Sequence, residues 1–309
     1  MFIVCKMIKL LRYGYGDNFN DLFIDKDIII KKSKTEYGLY KIQNEIKFYK
    51  YLIDNDIRFS IPKIYELNTD MYKMEYLSKH KPLYDVLINK DIEIVHIFLD
   101  KIYIELNKLH RIKNNIDINN YKKNLVAETI LKIKKRHLEI SDIISSVKIN
   151  KVNGTYILTV NEIYDKIEYY LDNIDSNITE VNLIHGDPNF NNILVDPFDN
   201  IYFIDPRGYF GDSELFGLKE YDYAKIKFAL TGYDLFDSEQ ISDIAFNKEE
   251  IVFKMDTILQ LSEIMDDNLS TFLMITIWLG NSHCFKNNVN KCLKSYYYSL
   301  YLATLFFRR

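Results

Sequence analysis

Two acidic residues and an asparagine stand at fixed spacing around two short apolar runs. The stretch HGDPNFNNIL begins at His185, and the stretch IYFIDPRG begins at Ile201. If the runs ILV and IYFI pair as an antiparallel hairpin across DPFDN, the residue before the first strand lies beside the residue after the second. We therefore expect Asn192 and Asp205 to meet.

A carboxylate and an amide oxygen side by side form a site made only of hard oxygen ligands. Such a site suits Mg²⁺, which keeps several waters and takes one or two protein carboxylates together with phosphates. Asp187 lies five residues before Asn192 in the same loop, so we expect it to face the metal without coordinating it. An incoming hydroxyl group needs a proton acceptor at that position. The pattern predicts phosphoryl transfer with Mg²⁺ as cofactor.

Strand patterns come before helical patterns along the chain. NFNDLFI and IIIKK predict a hairpin across DKD, YKIQNEIKFYKYLIDN predicts an amphipathic helix, and SIPKIYEL and MYKMEYL predict two more strands. Residues 1–77 are thus predicted to form a small β-rich lobe. Apart from a hairpin signal at Asn153-Gly154, the later patterns are mostly helical. We expect residues 78–309 to form a larger helical lobe that carries the catalytic loop and the acceptor site.

Composition restricts the class of protein and its partners. The 309 residues are 48% hydrophobic with a formal charge of −4, which indicates a globular chain without a general basic surface, so nucleic acid is not an expected partner. No apolar run approaches the roughly 18 residues that span a bilayer, and the N-terminus does not resemble a secretory signal. Cys5, Cys284 and Cys292 lack CxxC spacing. We expect a cytoplasmic protein with reduced thiols.

The two quoted stretches resemble the catalytic loop and metal-binding turn of the aminoglycoside phosphotransferase and choline kinase family. That family shows the pattern H-G-D-x-x-x-x-N, an apolar pair, and an aspartate after a short hairpin, and every position is filled here. The resemblance implies an α+β, two-lobed protein-kinase-like fold and ATP or GTP as phosphoryl donor. It also implies that Asp187 is the catalytic base, that Asn192 and Asp205 hold Mg²⁺, and that His185 braces the loop.

This sequence departs from the family pattern at two places. Pro188 occupies a position usually held by leucine or another residue, and Asp205 is followed by Pro206 and Arg207 instead of Phe-Gly. Pro206 predicts an extended conformation for Asp205 and removes a backbone donor, which disfavours a mobile activation-type turn. Arg207 is expected either to form a salt bridge within its lobe or to meet a charged substrate. Asp222 resembles a family position that braces the catalytic loop from a helix.

By the same resemblance, a cation contacts the nucleotide phosphates and an acid orients it. IIIKK offers Lys31 and Lys32, and the following helix offers Glu45. Alternation along a strand puts the two lysines on opposite faces, so only one can point at the nucleotide. Lys32 is favoured because it lies nearer the helix in sequence. The alternative is that both lysines are solvated surface charges.

Two further segments are assigned to nucleotide binding. The segment MEYL resembles the hinge of this family, which implies adenine contacts from the backbone of Glu75, Tyr76 and Leu77. Gly14 and Gly16 in YGYGDN are either a phosphate-covering loop or part of an ordinary hairpin.

The predicted function is transfer of the γ-phosphoryl group of ATP or GTP to a hydroxyl of a small molecule. IDPRG followed by YFG resembles a subgroup associated with bacterial surface polysaccharides, which favours a sugar or a polysaccharide precursor as acceptor. The acidic segment GDSELFGLKEYD favours instead a cationic acceptor, as in a choline, ethanolamine or aminoglycoside kinase. A catalytically silent nucleotide-binding module is the alternative from another class, and the intact Asp187, Asn192 and Asp205 argue against it.

Overall fold

The computed structural model describes most of the chain with side chains. The described residues are 8–9, 19–174, 178–237, 245–246, 249–253, 257–265 and 268–309. Gly14 and Gly16, where the sequence suggests a phosphate-covering loop, lie outside the described residues, and so does Cys5.

Two compact units make up the chain. The first combines Met1–Asn114 with Asn182–Asp222, and the second combines Asn115–Val181 with Tyr223–Arg309. The first unit therefore contains the predicted β-rich lobe together with the stretch that carries the catalytic motif. The predicted lobe boundary after residue 77 stays a prediction.

The described residues form short strands and helices of varied length. The strands are β1 (Ile8–Lys9), β2 (Asn20–Asp25), β3 (Ile28–Ser33), β4 (Ile64–Leu67), β5 (Met71–Glu75), β6 (Lys81–Pro82), β7 (Lys113–Asn115), β8 (Lys151–Val152), β9 (Thr155–Tyr156), β10 (Glu180–Leu183), β11 (Ile193–Val195), β12 (Ile201–Phe203), β13 (Tyr209–Phe210), β14 (Ser213–Glu214), β15 (Phe216–Gly217), β16 (Ala245–Phe246) and β17 (Glu250–Val252). The helices are α1 (Glu36–Asp54), α2 (Leu83–Leu87), α3 (Ile92–His110), α4 (Ile118–Val126), α5 (Lys132–Glu139), α6 (Ser141–Ser145), α7 (Val160–Asp172), α8 (Lys219–Leu230), α9 (Tyr233–Asp237), α10 (Leu261–Ile264), α11 (Leu269–Asn281) and α12 (Val289–Phe307).

An antiparallel sheet with the order β1-β2-β3-β5-β4 dominates the N-terminal part of the first unit. The predicted hairpin is present as β2 and β3, and β3 is the central strand of the five. Its β-branched run IIIKKS suits a strand with neighbours on both sides. Lys31 on β3 lies opposite Leu22 on β2 and opposite Tyr72 on β5. Its side chain lies on the buried face of this central strand.

Helix α1 packs one face against that sheet. Thr35 caps its N-terminus by accepting a hydrogen bond from the Gly38 amide at 3.0 Å, which satisfies one of the backbone donors that a helix start leaves open. The Tyr49 ring meets the ring of Tyr72 on β5 at a centroid distance of 5.4 Å. The three- and four-residue spacing of Ile42, Ile46, Tyr49 and Ile53 predicts one apolar face. Ile42 and Tyr49 are buried, but Ile53 is 55% exposed. The buried residues are Gly38, Ile42, Asn44, Glu45, Phe48, Tyr49 and Leu52.

The predicted hairpin of the catalytic motif is also present. β11 and β12 pair antiparallel, and β11 pairs on its other side with β6. β10, which precedes the motif, pairs antiparallel with β15, which follows it. The motif therefore lies between short strands that hold both of its ends.

The second unit is mainly helical and has an aromatic core. Trp278 on α11 is fully buried. Two side chains of α5 form hydrogen bonds with backbone carbonyls in the last turn of α11. Arg136 donates to the Gly280 carbonyl at 3.0 Å, and the His137 Nε2 lies 2.7 Å from the Leu279 carbonyl. Cationic and N–H-bearing side chains commonly satisfy the last carbonyls of a helix in this way.

The predicted α+β class is confirmed, with a β-rich N-terminal part and a mainly helical C-terminal part. β1 to β5 form one sheet before residue 76, and the longer elements that follow are helices. Searched over the described residues, the helices include none that is long and apolar enough to cross a membrane.

Candidate functional site

Backbone pairing brings the two halves of the motif together. Ile193 lies opposite Phe203 in the β11–β12 hairpin, and the Ile204 amide donates to the Asn192 carbonyl at 2.9 Å. The residue before the first strand therefore lies beside the end of the second, as the hairpin spacing predicted. Asp205 is the next residue after this hydrogen bond.

A short 3₁₀ turn, Phe190–Asn192, carries Asn192 into position. Asn189 caps this turn, since its side-chain oxygen accepts from the amides of Asn191 at 3.1 Å and Asn192 at 3.2 Å. The Nδ2 of the same residue donates to the Asp187 carboxylate at 3.2 Å. One buried amide thus orients both the predicted base and the predicted metal ligand.

The asparagine and aspartate provide oxygen donors that fit Mg²⁺. The Nδ2 of Asn192 donates to the Asp187 carbonyl at 2.9 Å, so the Oδ1 of this amide points away from that bond. Asp205 adds a quarter-exposed carboxylate. The described residues contain no group of three or more His, Cys, Asp or Glu arranged for a metal. Asn192 and Asp205 together therefore suit an ion that completes its coordination with water and phosphate.

Asp205 does not have the extended conformation that Pro206 predicted. Its φ is +56°, in the left-handed region that aspartate and asparagine adopt more readily than most residues. Hydrogen bonds attach the chain after Pro206 to the loop that begins at His185. The amides of Arg207 and Gly208 donate to the His185 carbonyl at 2.8 and 3.3 Å. These hydrogen bonds and the ion pair of the Asp205 side chain outweigh the local preference for extended backbone.

Lys31, and not the favoured Lys32, meets the acid on α1. The Lys31 Nζ lies 2.9 and 2.8 Å from the two carboxylate oxygens of Glu45 and 3.0 Å from Asp205. Lys32 points to the other face of β3, where its side chain is half exposed and lies 3.8 Å from Asp70. Nearness in sequence to α1 was the wrong criterion, because the strand's alternation decides which side chain faces the helix.

The Lys31 cluster is buried and charged. Burial acts to lower the pKa of Lys31, but the charges of Asp205 and Glu45 outweigh it and hold the pKa above its ordinary value. Burial raises the pKa of the Glu45 carboxyl, and the Lys31 ammonium acts against that increase. The Tyr72 hydroxyl donates to the same carboxylate at 2.6 Å. The lysine is therefore a fixed positive charge beside the proposed metal ligand.

His185 lies at the centre of an aromatic cluster under the loop. Its ring is fully buried and lies 5.9 Å from the Phe48 centroid and 5.6 Å from that of Phe203. Burial lowers the pKa of its imidazole, although the negative charge of Asp222 opposes this. The Nδ1 accepts from the Asp187 amide at 3.3 Å. A neutral, packed ring with this bond is suited to bracing the loop, and that role of His185 remains a prediction.

Asp222 on α8 holds the start of the same loop. Its fully buried carboxylate accepts from the amides of His185 at 3.0 Å and Gly186 at 2.6 Å and lies 2.9 Å from the His110 Nε2. Gly186 has φ +81°, and a Cβ at this position would lie 2.9 Å from the Cβ of Arg207. Only glycine fits this backbone conformation and this close approach.

Comparison with known proteins shows the fold. Neither protein-family models nor curated proteins give a match. Among solved structures, the gentamicin complex of APH(2'')-IIa is 14% identical, with a TM-score of 0.54 over 97% of this chain and 93% of that one. The choline kinase LicA from Streptococcus pneumoniae is also 14% identical, with a TM-score of 0.51 over 96% and 92% of the two chains. A glucosamine kinase is 11% identical, with a TM-score of 0.56 over 98% and 76%.

The chain has the fold of these kinases. Other solved structures that share it contain nucleotides: a streptomycin–ATP complex of APH(2'')-IIa, ADP-bound aminoglycoside phosphotransferase APH(2'')-Ib, and LicA with AMP. A further one is a GDP and kanamycin complex of APH(2'')-IIia.

The predicted hinge of this kinase fold begins at Glu75, the last residue of β5. The amides of Glu75 and Tyr76 donate to the carbonyls of Lys63 and Asp27, both at 2.8 Å. Within the described part of the chain, the amide of Leu77 has no such backbone partner. An N–H group at this place is suited to a heterocyclic base, and the adenine contact itself remains a prediction.

Arg207 packs between tyrosines. Its guanidinium carbon lies 4.0 Å from the ring centroid of Tyr209, and its Nη1 donates to the Tyr221 hydroxyl at 2.6 Å. Stacking of this kind fixes an arginine side chain. A contact between Arg207 and a charged substrate remains a prediction.

The sequence analysis missed Asn189 and the pairing of His110 with Asp222. Asn189 had an available signal, since asparagine is a preferred N-cap residue and two amides follow it in a tight turn. The partnership of His110 with Asp222 had no signal, because 112 residues separate them.

Proposed function

We propose that this protein transfers the γ-phosphoryl group of ATP or GTP to a hydroxyl of a small molecule. The observation that carries the proposal is the buried Lys31 held between Glu45 and Asp205 at 2.8 to 3.0 Å. Apolar side chains could fill the same space without a lysine and two acidic partners. Burying three charged groups is costly, so a role for their charge is expected. Phosphoryl transfer needs an oriented cation beside a metal ligand.

Lys31 is the proposed ligand of the nucleotide phosphates, and Glu45 orients it. Neutralisation of phosphate charge by fixed groups in a partly buried site contributes more than the same charges do in water. Because the ammonium is already in place, little reorganisation is needed when a nucleotide binds.

Asn192 and Asp205 are the proposed protein ligands of Mg²⁺. Lys31, Glu45 and Asp205 carry one positive and two negative charges, so their sum is −1, and a divalent cation offsets the excess. When bound, Mg²⁺ neutralises charge on the phosphates and orients them.

Asp187 is the proposed acceptor of the hydroxyl proton. Its carboxylate accepts from Asn189, and its backbone carbonyl accepts from Asn192, so its position relative to the metal ligands is constrained. Most of the rate then comes from holding the acceptor in line with the phosphoryl group.

The proposed acceptor is a small hydroxyl compound. The solved structures with this fold include complexes with gentamicin, streptomycin and kanamycin, a choline kinase and a glucosamine kinase. Among these classes we favour a sugar or a polysaccharide precursor on the basis of the IDPRG turn, and choline, ethanolamine and aminoglycosides are the alternatives. The fold itself does not select one of them.

Product formation tests the proposal directly. Candidate acceptors are incubated with ATP or GTP and Mg²⁺, and phosphorylated products are detected by mass spectrometry. Asp187→Asn keeps the loop's shape and removes its charge, so turnover is expected to fall roughly 10²-fold while nucleotide affinity is retained. Asp199→Asn is the matched control, since Asp199 is exposed in the turn between β11 and β12 and its change leaves turnover as in the wild type.

A nucleotide-binding module without turnover is the competing function. It predicts that no acceptor class gives a product and that wild type and Asp187→Asn hydrolyse ATP equally slowly. That pair of results, together with nucleotide binding by calorimetry, would replace the kinase proposal.

A further inference from the structure

Residues 208–217, which we call the docking segment, contact one face of α1. The Tyr40 and Tyr209 rings lie 5.6 Å apart near the start of the helix, and the Tyr51 and Phe216 rings meet edge to face at 5.8 Å near its end. The docking segment therefore follows α1 over most of its length.

Two more contacts lie between these aromatic pairs. Lys47 forms an ion pair with Glu214, and Gly208 lies against the backbone of Asn44. The four contact positions on α1, at residues 40, 44, 47 and 51, are spaced by three or four residues. That spacing defines a single stripe along a helix.

Gly208 makes the closest approach. It has φ +65°, and a Cβ at this residue would lie 2.8 Å from the Asn44 carbonyl oxygen and 3.5 Å from the Phe48 Cβ. Real Cβ atoms do not approach a backbone oxygen so closely, so any other residue would push α1 and the docking segment apart. The distance between helix and segment is thus set by the absence of a side chain.

The other side of the docking segment is fixed to the catalytic loop. The Gly208 amide donates to the His185 carbonyl at 3.3 Å, and the Leu215 amide donates to the Gly208 carbonyl at 2.9 Å. Leu215 in turn accepts from the Ile184 amide at 3.1 Å, and Phe216 pairs with Leu183 on β10. The segment therefore connects α1 to the loop that carries the predicted base.

Glu45 follows Asn44 directly on α1 and holds Lys31. We infer that the docking segment, through Gly208, positions α1 so that Glu45 keeps Lys31 aligned for the nucleotide. This inference rests on the proposed kinase function and adds a positioning residue to it.

Gly208→Ala tests the inference, with Gly154→Ala as its matched control. Gly154 also has a positive φ, +77°, but a Cβ there would meet nothing within 4 Å, so the control carries the backbone strain without the steric clash. In Gly208→Ala the KM for nucleotide is expected to rise roughly tenfold or more, since misplacement of a positioning group by about 1 Å has effects of this size. Amide hydrogen exchange over residues 36–54 is expected to become faster. Gly154→Ala changes neither property.

A charge exchange keeps the test valid if Gly208→Ala does not fold. Lys47→Glu and Glu214→Lys each replace attraction with repulsion, and exposed pairs of this type contribute less than about 1 kcal/mol. Each single variant is therefore expected to raise the nucleotide KM about twofold to fivefold, and the double variant restores it. Lys134→Glu is the control, because Lys134 forms a similarly exposed ion pair with Glu168 in the second unit.

Two outcomes overturn the inference while leaving the proposed function intact. One is a Gly208→Ala protein with wild-type nucleotide KM and unchanged exchange in α1, and the other is a charge-exchanged double variant that shows no recovery. Failure of the proposed function looks different, because the wild type itself then phosphorylates no acceptor, while hydrogen exchange in α1 still responds to Gly208→Ala.

Discussion

Lys31 is 6% exposed and contacts two carboxylates. Burial of its charge costs folding free energy, so a functional role for that charge is expected. Transfer of a charged group out of water is compensated only when its partners are close and well oriented. Lys31 meets that condition with Glu45 and Asp205, whereas the half-exposed Lys32 lies 3.8 Å from the Asp70 carboxylate. The two neighbouring residues of one strand are therefore expected to respond very differently to the same substitution.

Alanine at Lys31 is expected to raise the KM for nucleotide at least tenfold, because it removes the proposed phosphate ligand and leaves two buried carboxylates without their cation. Lys32→Ala is expected to stay within about twofold of the wild type, since exposed charges contribute little. Steady-state kinetics and calorimetry with ATP and GTP measure both. Equal, small effects at the two positions would mean that Lys31 does not contact the nucleotide.

Acid is expected to destabilise the protein partly through His137. Burial lowers the pKa of His137 to about 4 from an ordinary value of 6.5, so the unfolded chain binds a proton that the folded chain does not. The contribution of His137 to the free energy of unfolding is then fully present above pH 6.5. It is lost as the pH decreases from 6.5 toward 4, and the total loss is roughly 3 kcal/mol. Urea unfolding of wild type and His137→Leu across this range checks it. The variant is expected to be less stable at pH 7 but to lose less stability on acidification, and parallel pH profiles would contradict the prediction.

Among the elements, a three-residue turn carries much of the order of the candidate site. The Phe190–Asn192 turn has three residues, too few to be stable alone, and its position depends on the cap provided by Asn189 and on the β11–β12 hairpin that follows. The cap also donates to Asp187. The positions of the proposed base and of the proposed metal ligand are therefore coupled through one side chain.

Asn189→Ala is expected to lower kcat by about tenfold or more, because the turn loses its cap and Asp187 loses a donor. Asn268→Ala is the matched control: Asn268 caps α11 in the second unit by accepting from the Thr271 amide at 3.0 Å. Both variants are expected to lose about 1 kcal/mol of stability. Thermal unfolding with kinetics separates the effects, and an Asn268→Ala protein with the same loss of kcat would assign the effect to stability alone.

At the scale of the whole molecule, the site is drawn from distant parts of the chain. Lys31 and Asp222, at its extremes, belong to one compact unit, while residues 115–181 between them belong to the other. A ligand that contacts residues so far apart in sequence binds only the folded unit. Binding energy then appears as stability.

Nucleotide with Mg²⁺ is expected to raise the melting temperature. At about 100 times the Kd, the added stability is about 2.7 kcal/mol, which corresponds to a shift of roughly 5 °C or more for a unit of this size. Chelation of Mg²⁺ with EDTA, or Asp205→Ala, is expected to remove most of the shift. Scanning fluorimetry measures it, and a shift that is independent of both would exclude Asp205 as a metal ligand.

Local sequence was sufficient for the motif and for the order of elements. The β2–β3 and β11–β12 hairpins, α1, and the neighbourhood of Asn192 and Asp205 depend on alternation, periodicity and short turns, which operate within a few residues of the chain. These are short-range interactions, so a single sequence is enough to predict them.

Only the tertiary structure decided the choices that depend on packing. Lys31 faces α1 because the strand lies with that side inward, Ile53 is exposed because α1 buries the face that carries Glu45, and Asp205 has a positive φ because backbone bonds to His185 hold the turn. Each outcome is set by partners that are many residues away. Local propensities differ by about 1 kcal/mol between such alternatives, and contacts across the folded unit outweigh them.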